Sequence, residues 1–257
     1  MWDRLLRNAR VVDPVNGRDG VMDVAVKDGK IAAVGKIAGE AAETVDAAGL
    51  TLAPGFIDVH GHSDFFMPLD PARASKLLQG VTTELCGQCG LGPAPVTEQN
   101  YPVYHKYLSQ QGIPMYPDDR TFTSFSAYLS RMEQTPAGIN LAYFIPHGTV
   151  RLAVMGFSHD APDDRQLAQM RELVEDAMQA GALGLSTGLA YAPGRFAATD
   201  ELAALTEPVG RYGGVYTSHL RDQGDQLEQS VQEAIDIARR GGAQICFPDA
   251  RTAAARA

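Results

Sequence analysis

Three cysteines in 257 residues are too few for a disulfide framework, and they suit a reducing compartment. No apolar run approaches the roughly 20 residues that a membrane helix needs, so a spanning segment is not expected. The opening Met1-Trp2-Asp3-Arg4-Leu5-Leu6-Arg7 puts charges where a secretory leader would carry its apolar core. These absences together point to the cytoplasm. Basic excess is also missing: 22 Lys and Arg face 31 Asp and Glu, a net charge of −9. That leaves no electrostatic footprint for nucleic acid and favours solubility without naming a partner or an oligomeric state. No lysine follows Lys106, and no internal repeat is visible. What remains is 45% hydrophobic and 21% charged, the balance of a globular chain with room for one large domain or two modest ones.

The first stretch, residues 1–53, carries only strand and turn signals. Apolar runs at 6–12, 21–26, 31–34, 44–46 and 50–52 are broken by Asp13-Pro14-Val15-Asn16-Gly17 and by Lys27-Asp28-Gly29-Lys30. Asp-Gly between two such runs is a strong hairpin signal. From Pro54 the pattern changes to apolar strands followed by helical stretches, which predicts a parallel α/β domain over 54–245. Strands are expected at 56–60, 81–85, 141–145, 182–186, 215–218 and 243–247. A helix from Asp163 to Gly181 places Leu167, Met170, Leu173, Val174 and Ala177 on one face. A second, over 226–240, aligns Leu227, Val231, Ala234, Ile235 and Ala238 and stops at Gly241-Gly242. Residues 97–136 are longer than an ordinary connection, rich in Tyr and Phe and interrupted by Pro102, Pro114 and Pro117. They read either as part of a substrate pocket or as a packed surface subdomain.

Chemistry centres on Asp58-Val59-His60-Gly61-His62-Ser63-Asp64. Alternation along a strand would turn His60 and His62 to the same side, where two imidazoles can hold one divalent metal. The plain alternative is a polar pair capping a buried strand. Asp64 reads equally as a partner orienting a histidine and as a helix cap. Cys86-Gly87-Gln88-Cys89 has three readings. A redox pair should open a helix, yet Gly90-Leu91-Gly92-Pro93-Ala94-Pro95 follows. Half of a zinc ribbon needs a second cysteine pair, and only Cys246 remains. The third makes Cys89 a single metal ligand beside the histidines, with Cys86 a small buried hydrophobe. His219 closes the fifth strand and is a further ligand candidate.

These motifs, in this order, resemble those of the N-acyl-D-amino-acid deacylases (D-aminoacylases) of the amidohydrolase superfamily. The resemblance is carried by PGFIDVHGHSD at 54–64, GVTT at 80–83 with GQCG at 87–90, PHGTVR at 146–151, GLSTGLAYAPG at 184–194 and TSHLRD at 217–222. It runs to about Gln244. It implies a metal-dependent-hydrolase TIM-like barrel preceded by part of a small β-sandwich, and zinc as cofactor. Cys89 and His219 would belong to one tight zinc site, and His60 and His62 to a second, weaker position. The implied substrate is a small-molecule N-acyl-D-amino acid, with Tyr191, Ser186 and Arg221 as substrate-binding candidates. Arg221 reads as well as a salt-bridge partner of Asp222 or Asp225. His147 is a marker of the resemblance without a clear ligand role. Enzymes of the superfamily that open cyclic amides bridge their metals with a carboxylated lysine on strand four, whereas this chain has none there.

The chain departs from the family at strand six. A QISH-like run is expected, and Gln244-Ile245-Cys246-Phe247-Pro248 stands there, with an Ala/Arg-rich tail over 246–257. Only about six of the eight strands find a place, and the aspartate serving as general base would lie beyond residue 257. A frameshift or truncation after Ile245 is the expectation; a short variant with its own strand six is the alternative. Function then reads as zinc-dependent deacylation by descent, impaired in this chain. The competing readings are an amidohydrolase of cyclic amides, a non-catalytic remnant and a CxxC redox protein.

Overall fold

The computed structural model describes residues 1–66, 74–113 and 122–247. Pro114, Tyr116 and Pro117 of the aromatic segment and residues 248–257 of the tail lie outside that set. The chain divides into two compact units, Met1–Phe56 and Ile57–Ala257.

The first unit holds strands β1 (Trp2–Asp13), β2 (Arg18–Lys27), β3 (Lys30–Gly35), β4 (Ala41–Asp46) and β5 (Thr51–Leu52). The order is β3-β2-β1-β4, with β5 also on β1. The Asp28-Gly29 turn makes β2 and β3 an antiparallel hairpin, while β4 and β5 run parallel to β1. Its small core gathers Ala9, Val11, Val24 and Ala47, and Val21 stays exposed on the other side of the alternation.

The second unit continues through β6 (Phe56–Asp58), α1 (Ala74–Leu77), β7 (Val81–Cys86), α2 (Tyr101–Gln110) and α3 (Phe125–Glu133). Then come β8 (Asn140–Tyr143), β9 (Ile145–Pro146), α4 (His147–Met155), α5 (Asp164–Gln179), β10 (Gly184–Gly188) and α6 (Thr199–Arg211). β11 (Val215–His219), α7 (Leu227–Gly241) and β12 (Gln244–Cys246) complete it. Sheet order is β6-β7-β8 and β9-β10-β11-β12, each strand beside the next in sequence. β8 and β9 form one strand position stepped at Phe144, whose N–H donates to Cys86 O at 2.9 Å. The pairings from β7 onward are parallel, as strand–helix alternation demands. All strand ends that follow β7, β9, β10 and β11 therefore open on one side, where loops collect reactive groups.

Helix packing follows the apolar stripes. α5 starts on a capping box, in which Asp163 accepts from Gln166 N at 2.7 Å and Gln166 Oε1 accepts from Asp163 N at 3.0 Å. It buries Met170, Val174 and Ala177, with Leu167 and Leu173 partly covered. On α7 the stripe is turned from the expected one: Ile237, rather than Ile235, is fully buried with Ala234 and Ala238. Ile237 falls four residues before Gly241, which presses against Thr206 of α6. The aromatic segment contributes a separate core. Tyr104 and Leu108 of α2 pack with Phe65, Leu91, Val96 and Leu152. Pro102 sits in the first turn of α2, where a missing N–H costs nothing. Among the described residues, no helix is long and apolar enough to cross a membrane.

Candidate metal centre

The HxH arm leaves its strand earlier than alternation suggests. β6 ends at Asp58, whose Oδ1 accepts the His60 N–H at 3.1 Å and turns the chain. His60 and His62 therefore converge from a bend rather than from one strand face, their ring centroids 5.4 Å apart edge to face. Glu84 of β7 holds this bend from behind. Its fully buried carboxylate accepts from Ser63 N at 3.2 Å and from Ser63 Oγ at 2.5 Å. A Cβ at Gly61 would lie 1.7 Å from Glu84 Oε1, so any side chain there would displace the carboxylate. Lys76 meets Asp58 and lies 3.6 Å from Glu84 Oε2, giving that carboxylate a cation.

The Cys89 arm is a tight turn after β7. Cys89 has φ of 59°, the left-handed region that costs a non-glycine residue of order 1–3 kcal/mol. Its carbonyl accepts from Tyr191 Oη at 2.7 Å. Ser186 of β10 donates from Oγ to Gly87 O and accepts from Gly90 N at 3.1 Å. Gln88 crosses between strands, donating to Val59 O at 2.9 Å and accepting from Thr217 Oγ1 at 3.5 Å. A Cβ on Gly188 would meet Cys89 O at 2.2 Å and Tyr191 Oη at 2.4 Å, so bare backbone is required there too.

Beneath the turn, Asp64 accepts from Gly87 N at 3.2 Å and ties the two arms together. Burial pushes its carboxyl up to about 8 against that hydrogen bond. The Cys86 thiol is driven well above its ordinary value, first by burial and then by the Asp64 and Glu84 charges. Cys86 thus stays a neutral thiol in the core, and Cys89 alone of the pair reaches the histidines.

Four sequence-predicted ligands come together. The ligand atoms of His60, His62 and Cys89 all lie within 4.8 Å of one another. Cys89 Sγ is 3.2 Å from His60 Nε2 and 3.9 Å from His219 Nδ1. Atoms bound to one zinc at about 2.0–2.3 Å stand about 3–4 Å apart, so a thiolate among imidazoles at this spacing fits that ion. His219 stands at the end of β11 with the Tyr191 ring edge-on at 5.2 Å.

The substrate candidates fall elsewhere around the centre. Tyr191 and Ser186 reach the Cys89 turn as described. The Arg221 guanidinium is held by Glu233, through Nε and Nη2 at 2.9 Å each, and by the carbonyls of Arg195 and Ala197. Its ionic partner is therefore Glu233 of α7 rather than Asp222 or Asp225. His147 opens α4 in a buried cluster: its Nε2 donates to Glu201 Oε1 at 3.0 Å, beside Arg151 Nε at 3.1 Å. Arg151 also donates to Ser158 O and Asp160 O, each at 2.7 Å. Glu84, Gln88 and Glu201 were not singled out from the sequence. No signal for Glu84 was available, because it shares its phase of Val81–Cys86 with Thr82, opposite Val81 and Leu85.

Comparison with known proteins shows the family of the chain. A model described as the amidohydrolase family matches residues 43–214. A D-aminoacylase from Alcaligenes xylosoxydans xylosoxydans is 37% identical over 239 residues, covering 93% of this chain and 48% of that protein. An N-acyl-D-aspartate deacylase from the same organism is 36% identical over 99% of this chain and 50% of its own length. The solved N-acyl-D-glutamate deacylase from Bordetella bronchiseptica, complexed with zinc and a phosphonate mimic of the tetrahedral intermediate, superposes with a TM-score of 0.86. It is 32% identical and aligns over 95% of this chain and 50% of its own. The chain spans about half the length of the curated relatives it matches.

Proposed function

Because the chain belongs to the amidohydrolase family and is homologous to the N-acyl-D-amino-acid deacylases, we propose that its centre is by descent that of a zinc-dependent hydrolase of the N-acyl amide bond of N-acyl-D-amino acids, impaired in this chain. The observation that carries this reading is the convergence of His60, His62 and Cys89, with His219 Nδ1 3.9 Å from the thiol. Bound there, zinc supplies polarisation of the amide carbonyl and a nucleophilic water at neutral pH. Cys89 lies within 4 Å of both His60 and His219, so one thiolate could serve a tight position with His219 and a weaker one with His60 and His62. The Tyr107 hydroxyl donates to Ala192 O at 2.5 Å, so the aromatic segment braces the loop that carries Tyr191. With three free cysteines and no membrane-crossing helix among the described residues, we place the protein in the cytoplasm.

Proton transfer is the part these residues do not supply. Among the described residues no carboxylate joins the cluster of His60, His62 and Cys89. Asp64 and Glu84 lie buried beneath it, bonded to backbone and to Ser63. Phe247 packs against the core where the resemblance expects a strand-six histidine. A missing proton shuttle alone is worth about 10²–10⁴ in rate. The 257-residue chain is therefore expected to bind zinc without measurable deacylation of N-acetyl-D-amino acids, assayed by amine release with the L-isomers as control. Zinc-dependent turnover of the D-isomers that disappears in Cys89→Ala would overturn the second half of this expectation. Failure to retain zinc would overturn the first.

A further inference from the structure

We propose that Ser186 is a positioning residue, whose hydroxyl clamps the Gly87–Gly90 turn so that the Cys89 thiol is aimed at the metal before any metal arrives. This rests on the reading of the metal centre given above. Cys89 occupies the left-handed backbone region, φ 59°, without being glycine, asparagine or aspartate, so its conformation must be imposed by neighbours. Ser186 is placed to impose it. Its side chain is fully buried, and both hydrogen-bonding directions of its Oγ are used on the two ends of this one turn. The hydroxyl proton goes to Gly87 O, before the cysteine, and a lone pair takes the Gly90 N–H, after it. Ser186 itself is fixed in β10, paired with Pro146 on one side and Thr217 on the other. A side chain on a central strand thus transmits a rigid reference to a ligand 97 residues earlier in sequence. The Tyr191 hydroxyl on Cys89 O secures the same peptide from the loop that follows β10. With its one proton given to Gly87 O and a lone pair taken by the Gly90 N–H, the Ser186 hydroxyl acts through Cys89.

The test compares wild type, Ser186→Ala and, as a control for loss of a buried hydroxyl elsewhere, Thr206→Val. Thr206 is equally buried and donates only within α6, to Leu202 O. Each is titrated with Zn²⁺ and, separately, with Co²⁺, read by the near-ultraviolet thiolate-to-cobalt absorption. Ser186→Ala should bind zinc about 10–100-fold more weakly and show a diminished thiolate band, while Thr206→Val retains both. Hydrogen exchange on metal-free wild type supplies a measurement that needs no variant. The Gly90 amide should be protected, and exchange at the rate of an open loop would overturn the clamp. A normal wild-type band that Ser186→Ala leaves unchanged would overturn the positioning role while the metal centre stands. A wild type without any thiolate band would overturn the metal centre, and this inference with it.

Discussion

At Glu84 a single carboxylate decides whether the HxH bend exists. It takes both donors of Ser63 and fills the space a side chain at Gly61 would need. Replacing it by glutamine puts a donor where the Ser63 donors expect an acceptor, and leaves Lys76 with Asp58 alone. Glu84→Gln should cost about 1–3 kcal/mol in urea unfolding, the usual penalty for a buried group left unsatisfied. It should weaken zinc binding as well, because His60 and His62 flank the bend. Unchanged stability would mean the bend is held by something else. The four side chains that converge here were singled out from the order of the motifs, because the resemblance assigns His60, His62, Cys89 and His219 to one region. Glu84 was not, because Val81-Thr82-Thr83-Glu84-Leu85 gives no hint that its acid points into a dry turn. Nor was the work of Ser186, whose partners are backbone atoms nearly a hundred residues away.

Elements are coupled by the buried cluster that joins α4 to α6. Arg151 and Glu201 form an ion pair with neither side chain more than 3% exposed, and His147 donates to the same carboxylate. Burial alone would raise the Glu201 carboxyl, but the hydrogen bond from His147 and the Arg151 charge outweigh it and hold the group below its ordinary value of 4.5. A folded value below the unfolded one gives stability that is fully present above pH 4.5 and is lost as pH falls through the lower, folded value. Glu201→Gln leaves the guanidinium buried without its counter-ion, which should cost about 3–5 kcal/mol at neutral pH. The gap between variant and wild type, read from thermal unfolding across pH, should narrow below pH 4.5; a gap independent of pH would reject the assignment. Helix α5 was readable because Asp163 and Gln166 announce its start. The strand at 56–60 was overextended because the hydrogen bond from His60 N to the Asp58 side chain competes with the ladder. Pro102 was read as a break although the first turn of α2 accepts it.

For the whole molecule, alternation of strands and helices was enough to foresee a parallel sheet in sequential order, and the two-unit division at Phe56 lies close to the change of pattern at Pro54. What alternation cannot foresee is where side chains from β7, β10 and β11 meet, because that depends on register. Gly188 pairs with His219 across β10 and β11, and the Cys89 turn lies over Gly188. One centre built from four side chains on three distant segments is the central claim, and zinc X-ray absorption of the zinc-loaded chain tests it most directly. The arrangement predicts a shell with one sulfur at about 2.3 Å and nitrogens at about 2.0–2.1 Å, the sulfur vanishing in Cys89→Ala. A shell of nitrogen and oxygen alone in wild type, or a sulfur that persists when Cys89 is removed, would contradict it.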